Sequence, residues 1–208
     1  MIRAVILDFG GVIAEEGFRE GMKAIAVKHG LDPEIFFMTA DSLIYETGYV
    51  KGGTDEKTFW SILKQRTGIK GDESELREEI LRRFILRRGI LDFIDSLREK
   101  KIITAILSDQ TNWLEEVNER SPFFIHFDHV FNSYRIGRGK RDPGTFRYIC
   151  SLIGVRPDEA LFIDDNIRNI ENAEKEGLST ILFTDIEDMR ERVNSIMSAS
   201  GRNEEDLS

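Results

Sequence analysis

Cysteine is almost absent from this chain of 208 residues: Cys150 stands alone. A single thiol excludes both an internal disulfide and a metal site built from several cysteines. Long apolar runs are also missing, because no segment approaches the roughly 18 residues that a membrane-spanning helix needs. The first apolar stretch, residues 2–13, is interrupted by Asp8 and lacks a small-residue cleavage site, so it is not typical of a signal peptide. We therefore expect a soluble, cytoplasmic protein.

Basic residues are outnumbered: 29 Lys and Arg face 38 Asp and Glu, which gives a formal net charge of −9. An acidic chain repels phosphate backbones, so the composition argues against a nucleic-acid partner. A small phosphorylated ligand remains compatible with it, because a few local cations can hold one phosphate. Apolar residues make up 40% of the chain, which is enough for a substantial core. The length suits one large domain, or one domain with a smaller insertion.

Short apolar runs alternate with amphipathic stretches, the pattern of strands and helices around a parallel sheet. We predict strands at residues 4–7, 102–107, 130–131, 161–163 and 180–183. Among the helices, one is expected to have Asp142 as its N-cap, Pro143 as its first residue and Gly154 at its end. The predicted fold class is α/β: a doubly wound parallel, Rossmann-like sheet.

The first two predicted strands are separated by about ninety residues, far more than one crossover helix needs. Several amphipathic helices and no convincing strand occur there, the last helix over 75–88. We therefore predict an inserted helical cap domain at 15–85 beside a core formed by 1–14 and 86–197. The polar, acidic end of the chain, 198–208, is expected to fray.

Polar residues follow three of the predicted strands directly. Asp8 ends the first apolar run, Ser108 and Asp109 follow the second strand, and Asp164 and Asp165 follow another. Each alone is typical of a turn or a helix cap. Together they lie at the carboxyl edge of a parallel sheet, where open α/β folds bind ligands. Clustered carboxylates repel one another unless a cation is present, and an all-oxygen site favours Mg²⁺.

These residues resemble the four sequence motifs of the haloacid dehalogenase superfamily. Residues 8–12, Asp-Phe-Gly-Gly-Val, resemble its first motif, and Ser108-Asp109 resembles the second. Lys140, which precedes an Asp-Pro pair, resembles the third motif. Residues 164–169, which begin Asp-Asp-Asn, resemble the fourth. Their order and spacing fit over nearly the whole chain, and the insertion stands where this family carries a helical cap.

The resemblance implies an Mg²⁺-dependent phosphatase that acts through a covalent intermediate. Asp8 would be the nucleophile and would form an aspartyl-phosphate. Mg²⁺ would be bound by Asp8, Asp165 and the backbone carbonyl of Gly10, while Asp164 and Asn169 would act through water or orient these ligands.

The resemblance also implies which groups bind the phosphate. Ser108, Asp109 and Lys140 would bind it, with nearby backbone N–H groups as further donors, and Lys140 would also take part in catalysis by reducing repulsion between phosphate and nucleophile. The expected partner is a small phosphorylated metabolite, with a sugar phosphate suggested by the cap type. The protein would be a monomer or a weak homodimer, with no nucleic-acid or membrane partner.

Two positions depart from the family pattern. Gly10 stands where most of these phosphatases have a second Asp, the general acid and base, whose help is typically worth 10²–10⁴-fold in rate. Glu15, Glu16 and Asp109 are the nearby candidates to replace it. Arg141 stands where proline usually follows the motif lysine. We expect it to leave the loop less rigid and do not count it as a site residue.

Three alternatives remain open from the sequence. A dehalogenase of the same fold needs no metal, and the pair Asp164 and Asp165 argues against it. A phosphonate hydrolase would need a cap lysine that forms a Schiff base. A regulatory protein that binds phosphate without turnover is compatible with Gly10. The cap lysines available for a Schiff base are Lys23, Lys28, Lys51, Lys57 and Lys64.

Overall fold

A five-stranded parallel sheet forms the centre of the protein. The computed structural model describes the backbone of residues 1–205 and the side chains of residues 1–198. The sheet order is β3-β2-β1-β4-β5, so β1 lies in the middle, with Leu7 paired to Ile106 on one side and to Ile163 on the other. This confirms the predicted α/β class. The strands are β1 (Ala4–Leu7), β2 (Ile103–Ser108), β3 (His129–Asn132), β4 (Ala160–Asp164) and β5 (Ser179–Leu182).

Helices cover both faces of the sheet. Val5 and Leu7 belong to one apolar cluster, while Ala4 and Ile6 belong to a second cluster on the opposite face. Burial on both faces explains why the strands are continuous apolar runs without polar alternation. The covering helices are α5 (Arg88–Glu99), α6 (Trp113–Arg120), α7 (Ser133–Ile136), α8 (Thr145–Leu152), α9 (Ile167–Lys175) and α10 (Ile186–Glu205).

The segment 15–85, called the cap segment below, contains four helices and, among its fully described residues, no β-strand. Asp32, Asp55 and Asp72 precede three of these helices, and each accepts a hydrogen bond from a backbone N–H of the first turn. The helices are α1 (Gly17–Lys28), α2 (Pro33–Glu46), α3 (Glu56–Thr67) and α4 (Glu73–Leu81), with a 3-10 turn at Tyr49–Lys51. The division into core and cap domains stays a prediction.

Close packing joins α1 to α4. A Cβ built on Gly21 would lie 2.6 Å from the Ile80 Cα, so glycine is what allows this approach. Nearby, the Glu79 side chain is 6% exposed and accepts from Lys28 Nζ and Arg82 Nη2, each at 2.6 Å. Burial acts to raise the pKa of Glu79, but the basic partners outweigh it and lower that pKa from 4.5 to about 2. Glu79 is therefore an ionised structural anchor.

An aromatic cluster joins the cap segment to the core. Trp113 of α6 lies with its ring centroid 6.2 Å from Phe18, 5.9 Å from Tyr49, 6.3 Å from Phe59 and 6.1 Å from Trp60. The two tryptophans and Tyr49 are fully buried. Aromatic pairs at these separations stabilise beyond the area they bury. The cap segment is therefore packed onto the core through large side chains.

The start of α8 differs from the prediction. The helix begins at Thr145, after Gly144 in the left-handed region with φ of 77°. Asp142 does not cap it, since its Oδ2 accepts from the Gly139 N–H at 2.8 Å and its Oδ1 lies 3.2 Å from Lys51 Nζ. Asp142 therefore closes its own loop and binds the cap segment.

The end of one further helix also differs. Helix α4 ends at Leu81 because the chain then returns alongside its outgoing path: the Arg87 N–H donates to the Ile13 carbonyl at 2.9 Å, and Ala14 bridges Leu86. Helix α10 ends at Glu205, and residues 206–208 lie outside the described residues, so fraying of 198–208 stays a prediction. Among the helices within residues 1–205, none has the length and apolar character needed to cross a bilayer.

Candidate active site

A polar cavity of about 390 Å³ lies between the carboxyl edge of the sheet and the cap segment. The core contributes Asp8, Gly10, Ser108, Asp109, Gln110, Lys140, Arg141, Asp165, Asn166, Ile167 and Asn169 to its lining. The cap segment contributes Glu16, Phe18, Arg19, Phe37, Asp41 and Tyr45. Seven of the eight predicted site residues therefore line one cavity. The eighth, Asp164, lies buried directly behind it.

Lys140 is the centre of the buried charge at this site. It is 2% exposed, and its Nζ lies 2.7 Å from Asp8 Oδ2 and 2.7 Å from Asp164 Oδ2. Burial opposes its charge, but the two carboxylates outweigh burial and raise the pKa of Lys140, so it stays protonated. Burial raises the pKa of Asp8, and Lys140 offsets this only in part. One ammonium therefore serves several carboxylates.

Asp164 and Asp165 are adjacent but have different environments. Asp164 is fully buried, and its two oxygens accept from Asn169 Nδ2 at 3.1 and 3.0 Å, from the Asn166 N–H at 2.7 Å and from Lys140. Asp165 faces the cavity and lies against Gly11, where a Cβ would stand 2.5 Å from the Asp165 Cγ. Gly11 has φ of 82°, a conformation that favours glycine, and its lack of a side chain leaves room for the Asp165 carboxylate.

The carboxylates of Asp8, Asp164 and Asp165 can hold a metal ion. Each offers an oxygen, and these three atoms lie within 4.8 Å of one another. Burial, followed by the charge of Asp164, raises the pKa of Asp165, which indicates that the negative charge is incompletely balanced. Asp164 already accepts four hydrogen bonds, whereas the two Asp8 oxygens have one partner each, the Phe9 N–H at 2.6 Å and Lys140 Nζ at 2.7 Å. Asp8 and Asp165 therefore keep lone pairs that a metal ion can use. Oxygen donors and net negative charge fit Mg²⁺.

Asp109 has a supporting position. Its Oδ1 accepts from the Lys140 N–H at 3.0 Å, and Tyr45 Oη donates to its Oδ2 at 3.4 Å. Burial raises the pKa of Asp109. Its carboxylate thus holds the loop that carries Lys140 instead of lying free in the cavity. Ser108, at the end of β2, is buried and lines the cavity, and its contact with phosphate stays a prediction.

The loop after β1 is braced by Arg87. Its Nη1 donates to the Gly11 and Val12 carbonyls, the latter at 2.9 Å. Its Nη2 lies 2.9 Å from Glu15 Oε2. Glu15 is therefore held by an ion pair and does not line the cavity, which removes it as a candidate replacement acid.

Residues of the cap segment and the Lys140 loop complete the cavity wall. Burial, followed by the charge of Asp165, raises the pKa of Glu16 from 4.5 to about 7. Arg141, which sequence reasoning set aside, lies 3.7 Å from the centre of the Tyr45 ring and 3.9 Å from Asp41 Oδ2. Its position directly after Lys140 is the one sequence signal that could have pointed to it. Tyr49 does not line the cavity: it is buried and donates to Asn112 Oδ1 at 2.6 Å.

The fold and the carboxylate cluster define the class of protein. A HAD-family enzyme from Bacteroides thetaiotaomicron, solved in complex with magnesium and inorganic phosphate, has the same fold with a TM-score of 0.70. It is 22% identical, and the match covers 88% of this chain and 95% of that one. The family model for haloacid dehalogenase-like hydrolases matches residues 2–177. The chain belongs to this family.

Relatives of similar length include a phosphatase. D-ribitol-5-phosphate phosphatase of Bacteroides thetaiotaomicron is 27% identical over an alignment of 216 positions, which covers 96% of this chain and 100% of that protein. Bifunctional epoxide hydrolase 2 of Mus musculus is 24% identical over 211 residues, 87% of this chain. The chain spans only 36% of that protein, and 21% of its Rattus norvegicus counterpart.

Proposed function

We propose that the protein is an Mg²⁺-dependent phosphatase that hydrolyses a small phosphorylated metabolite through an aspartyl-phosphate on Asp8. The observation that carries the proposal is the arrangement of Asp8 at the end of β1, with Lys140 Nζ 2.7 Å from its Oδ2 and the Asp165 carboxylate beside it in the same cavity. A nucleophile, a fixed cation and a pair of oxygen ligands are the groups that phosphoryl transfer needs.

Each residue has a definite part in this reaction. An Asp8 oxygen attacks phosphorus, and the alcohol oxygen of the substrate leaves. Lys140, held by Asp164, reduces the repulsion between the anionic nucleophile and the anionic phosphate, while the Ser108 hydroxyl donates to a phosphoryl oxygen. Mg²⁺, bound by Asp8, Asp165 and the Gly10 carbonyl, would stabilise negative charge on the phosphoryl oxygens. Water then hydrolyses the aspartyl-phosphate.

The cavity wall supports a polar leaving group, such as that of a sugar or alditol phosphate. Asp41 and Tyr45 offer groups that pair with hydroxyls, and Arg19 and Arg141 add donors. A volume of about 390 Å³ suits a small metabolite. The names of D-ribitol-5-phosphate phosphatase and of the N-acetylmuramic acid 6-phosphate phosphatase of Pseudomonas aeruginosa point to the same substrate class.

The phosphonate alternative finds no support in the cavity. Among the described residues, no lysine of the cap segment lines it. Four of those lysines are in ion pairs elsewhere: Lys23 with Glu34, Lys28 with Glu79, Lys51 with Asp142 and Lys64 with Glu73. A Schiff-base lysine must reach the reacting carbon, and these side chains are engaged away from it.

The test is release of inorganic phosphate from p-nitrophenyl phosphate and from a panel of sugar and alditol phosphates, with Mg²⁺ and with EDTA. We expect release with Mg²⁺ only. Asp8→Asn should leave no more than a trace, because an amide is a poor nucleophile and metal ligand. Asp92→Asn, an exposed change on α5, is the matched control and should be fully active. Substantial turnover by Asp8→Asn would refute the covalent mechanism.

A further inference from the structure

The loop after β1 leaves an open volume at Gly10, and a carboxyl from the cap segment enters it. A Cβ built on Gly10 would stand 2.9 Å from Glu16 Oε1 and 3.7 Å from Glu16 Cδ. Gly10 and Glu16 line the same cavity as Asp8 and Asp165. The Glu16 carboxyl thus occupies the space that a side chain at residue 10 would fill, next to the nucleophile.

The Glu16 side chain has no evident structural role. Glu16 is the N-cap residue of α1, but its side chain makes no capping hydrogen bond. Among the side chains of residues 1–198, its carboxyl has no hydrogen bond and no ion pair, whereas Glu15 is paired with Arg87 and Asp109 is bound to the Lys140 N–H. Of the three candidates to replace the missing acid, Glu16 is therefore the one whose carboxyl lines the cavity without a hydrogen bond or an ion pair among the described side chains.

Packing of the backbone holds Glu16 at this place. The next residue, Gly17, lies so close to Phe84 that a Cβ there would stand 2.5 Å from the Phe84 Cγ. Phe84 in turn packs on Phe9, the neighbour of Asp8, with ring centroids 5.3 Å apart. The start of α1 is therefore fixed against the loop that carries the nucleophile. A catalytic group needs such positioning by rigid elements.

We propose that the Glu16 carboxyl is the proton donor and acceptor of the phosphatase reaction, in place of a side chain at residue 10. This inference rests on the proposed function. In the first step the Asp8 oxygen forms a bond to phosphorus, the bond from phosphorus to the leaving oxygen breaks, and the Glu16 proton passes to that oxygen to give the alcohol. In the second step the Glu16 carboxylate takes a proton from water, the water oxygen forms a bond to phosphorus, the bond from phosphorus to Asp8 breaks, and inorganic phosphate leaves with Asp8 again a carboxylate and Glu16 again protonated.

Leaving-group dependence tests the proposal. For Glu16→Gln, turnover of an alkyl phosphate such as glycerol 3-phosphate should fall by about 10²–10⁴-fold. With p-nitrophenyl phosphate, whose leaving group needs no proton, we expect a burst of about one p-nitrophenol per site followed by slow turnover, because phosphorylation proceeds and hydrolysis is impaired. Glu20→Gln, an exposed change on the same helix, should behave as the unmodified protein. Thermal unfolding with and without Mg²⁺ should show that all variants fold.

Two results would overturn the assignment. The first is alkyl-phosphate turnover by Glu16→Gln within about threefold of the unmodified protein, with no burst. The second comes from Gly10→Asp: added to Glu16→Ala, which empties the shared volume, the new carboxyl should enter that volume and restore activity, and failure to restore any would contradict that sharing. If the unmodified protein released no phosphate from any substrate, the phosphatase function itself would be wrong, which is a different outcome.

Discussion

Substitution of Gly11 by alanine would test the geometry of the proposed metal site without removing any of its proposed ligands. The new Cβ would lie 2.5 Å from the Asp165 Cγ and 2.9 Å from its Oδ1, where ordinary contacts begin at 3.4 Å. The Asp165 carboxylate must therefore move by about 1 Å. Gly11 also has φ of 82°, a conformation that costs an alanine about 1–2 kcal/mol.

These two effects predict separate magnitudes. Strain alone should lower the melting temperature by roughly 2–8 °C, since about 2–4 °C corresponds to each kcal/mol in a chain of this size. Displacement of Asp165 should raise the Mg²⁺ concentration for half-maximal activity by about 10–100-fold, the usual cost of misaligning a metal ligand.

Gly30→Ala is the matched control. Gly30 has φ of 68° and no atom within 4 Å of a built Cβ, so alanine there suffers the same strain far from the site. It should lose a similar amount of stability and keep its Mg²⁺ dependence. The assay is a Mg²⁺ titration of phosphate release, with the Mg²⁺-induced rise in melting temperature as a second readout. A half-maximal Mg²⁺ concentration for Gly11→Ala within twofold of the unmodified protein would refute the placement of Asp165 at the metal.

Three further predictions concern the rest of the molecule. Glu79→Gln should lower the free energy of unfolding in urea at pH 7 by about 1–2 kcal/mol. The depression of the Glu79 pKa from 4.5 to about 2 sets an upper bound of about 3.4 kcal/mol, and solvent screening reduces it. Because the folded pKa of Glu79 is depressed to about 2, its contribution is complete above pH 4.5 and lost toward pH 2, so the two proteins should converge as pH falls; a constant difference would be inconsistent with this. Gly21→Ala should cost roughly 1–3 kcal/mol by overpacking, whereas Gly89→Ala, whose built Cβ has no contact closer than 3.5 Å, should be neutral or slightly stabilising in the same urea experiment. Burial raises the pKa of Cys150 to about 11, so a thiol reagent should modify it only after unfolding, and rapid reaction of the native protein would contradict its burial.

The sheet was predictable because strands buried on both faces leave an unbroken apolar signal. The predicted strand 4–7 coincides with β1, and the predicted 161–163 lies within β4. The sequence also shows which strands end in carboxylates, and parallel topology then brings those ends together. Asp8 and Asp164, which end or follow neighbouring strands, lie close enough to share Lys140 Nζ for this reason.

Element ends and the cavity wall were less predictable because they depend on distant partners. Asp142 has the residue type of a helix cap, but Gly139 and Lys51 occupy its carboxylate. The sequence placed Glu16 among three equivalent candidates for the missing acid. Arg87, about seventy residues further along the chain, forms an ion pair with Glu15, whereas Glu16 faces the cavity. No local pattern encodes that choice.

The contact between Trp60 and Trp113 has an optical consequence. They are the chain's two tryptophans, one on a cap-segment helix and one on a core helix, with indole centroids 6.1 Å apart and planes inclined by 35°. Chromophores this close and rigid couple, so near-ultraviolet circular dichroism and intrinsic emission both report on the distance across the boundary between core and cap segment. Intrinsic tryptophan signals can therefore be used, without an added label, to test whether this boundary opens when a ligand binds.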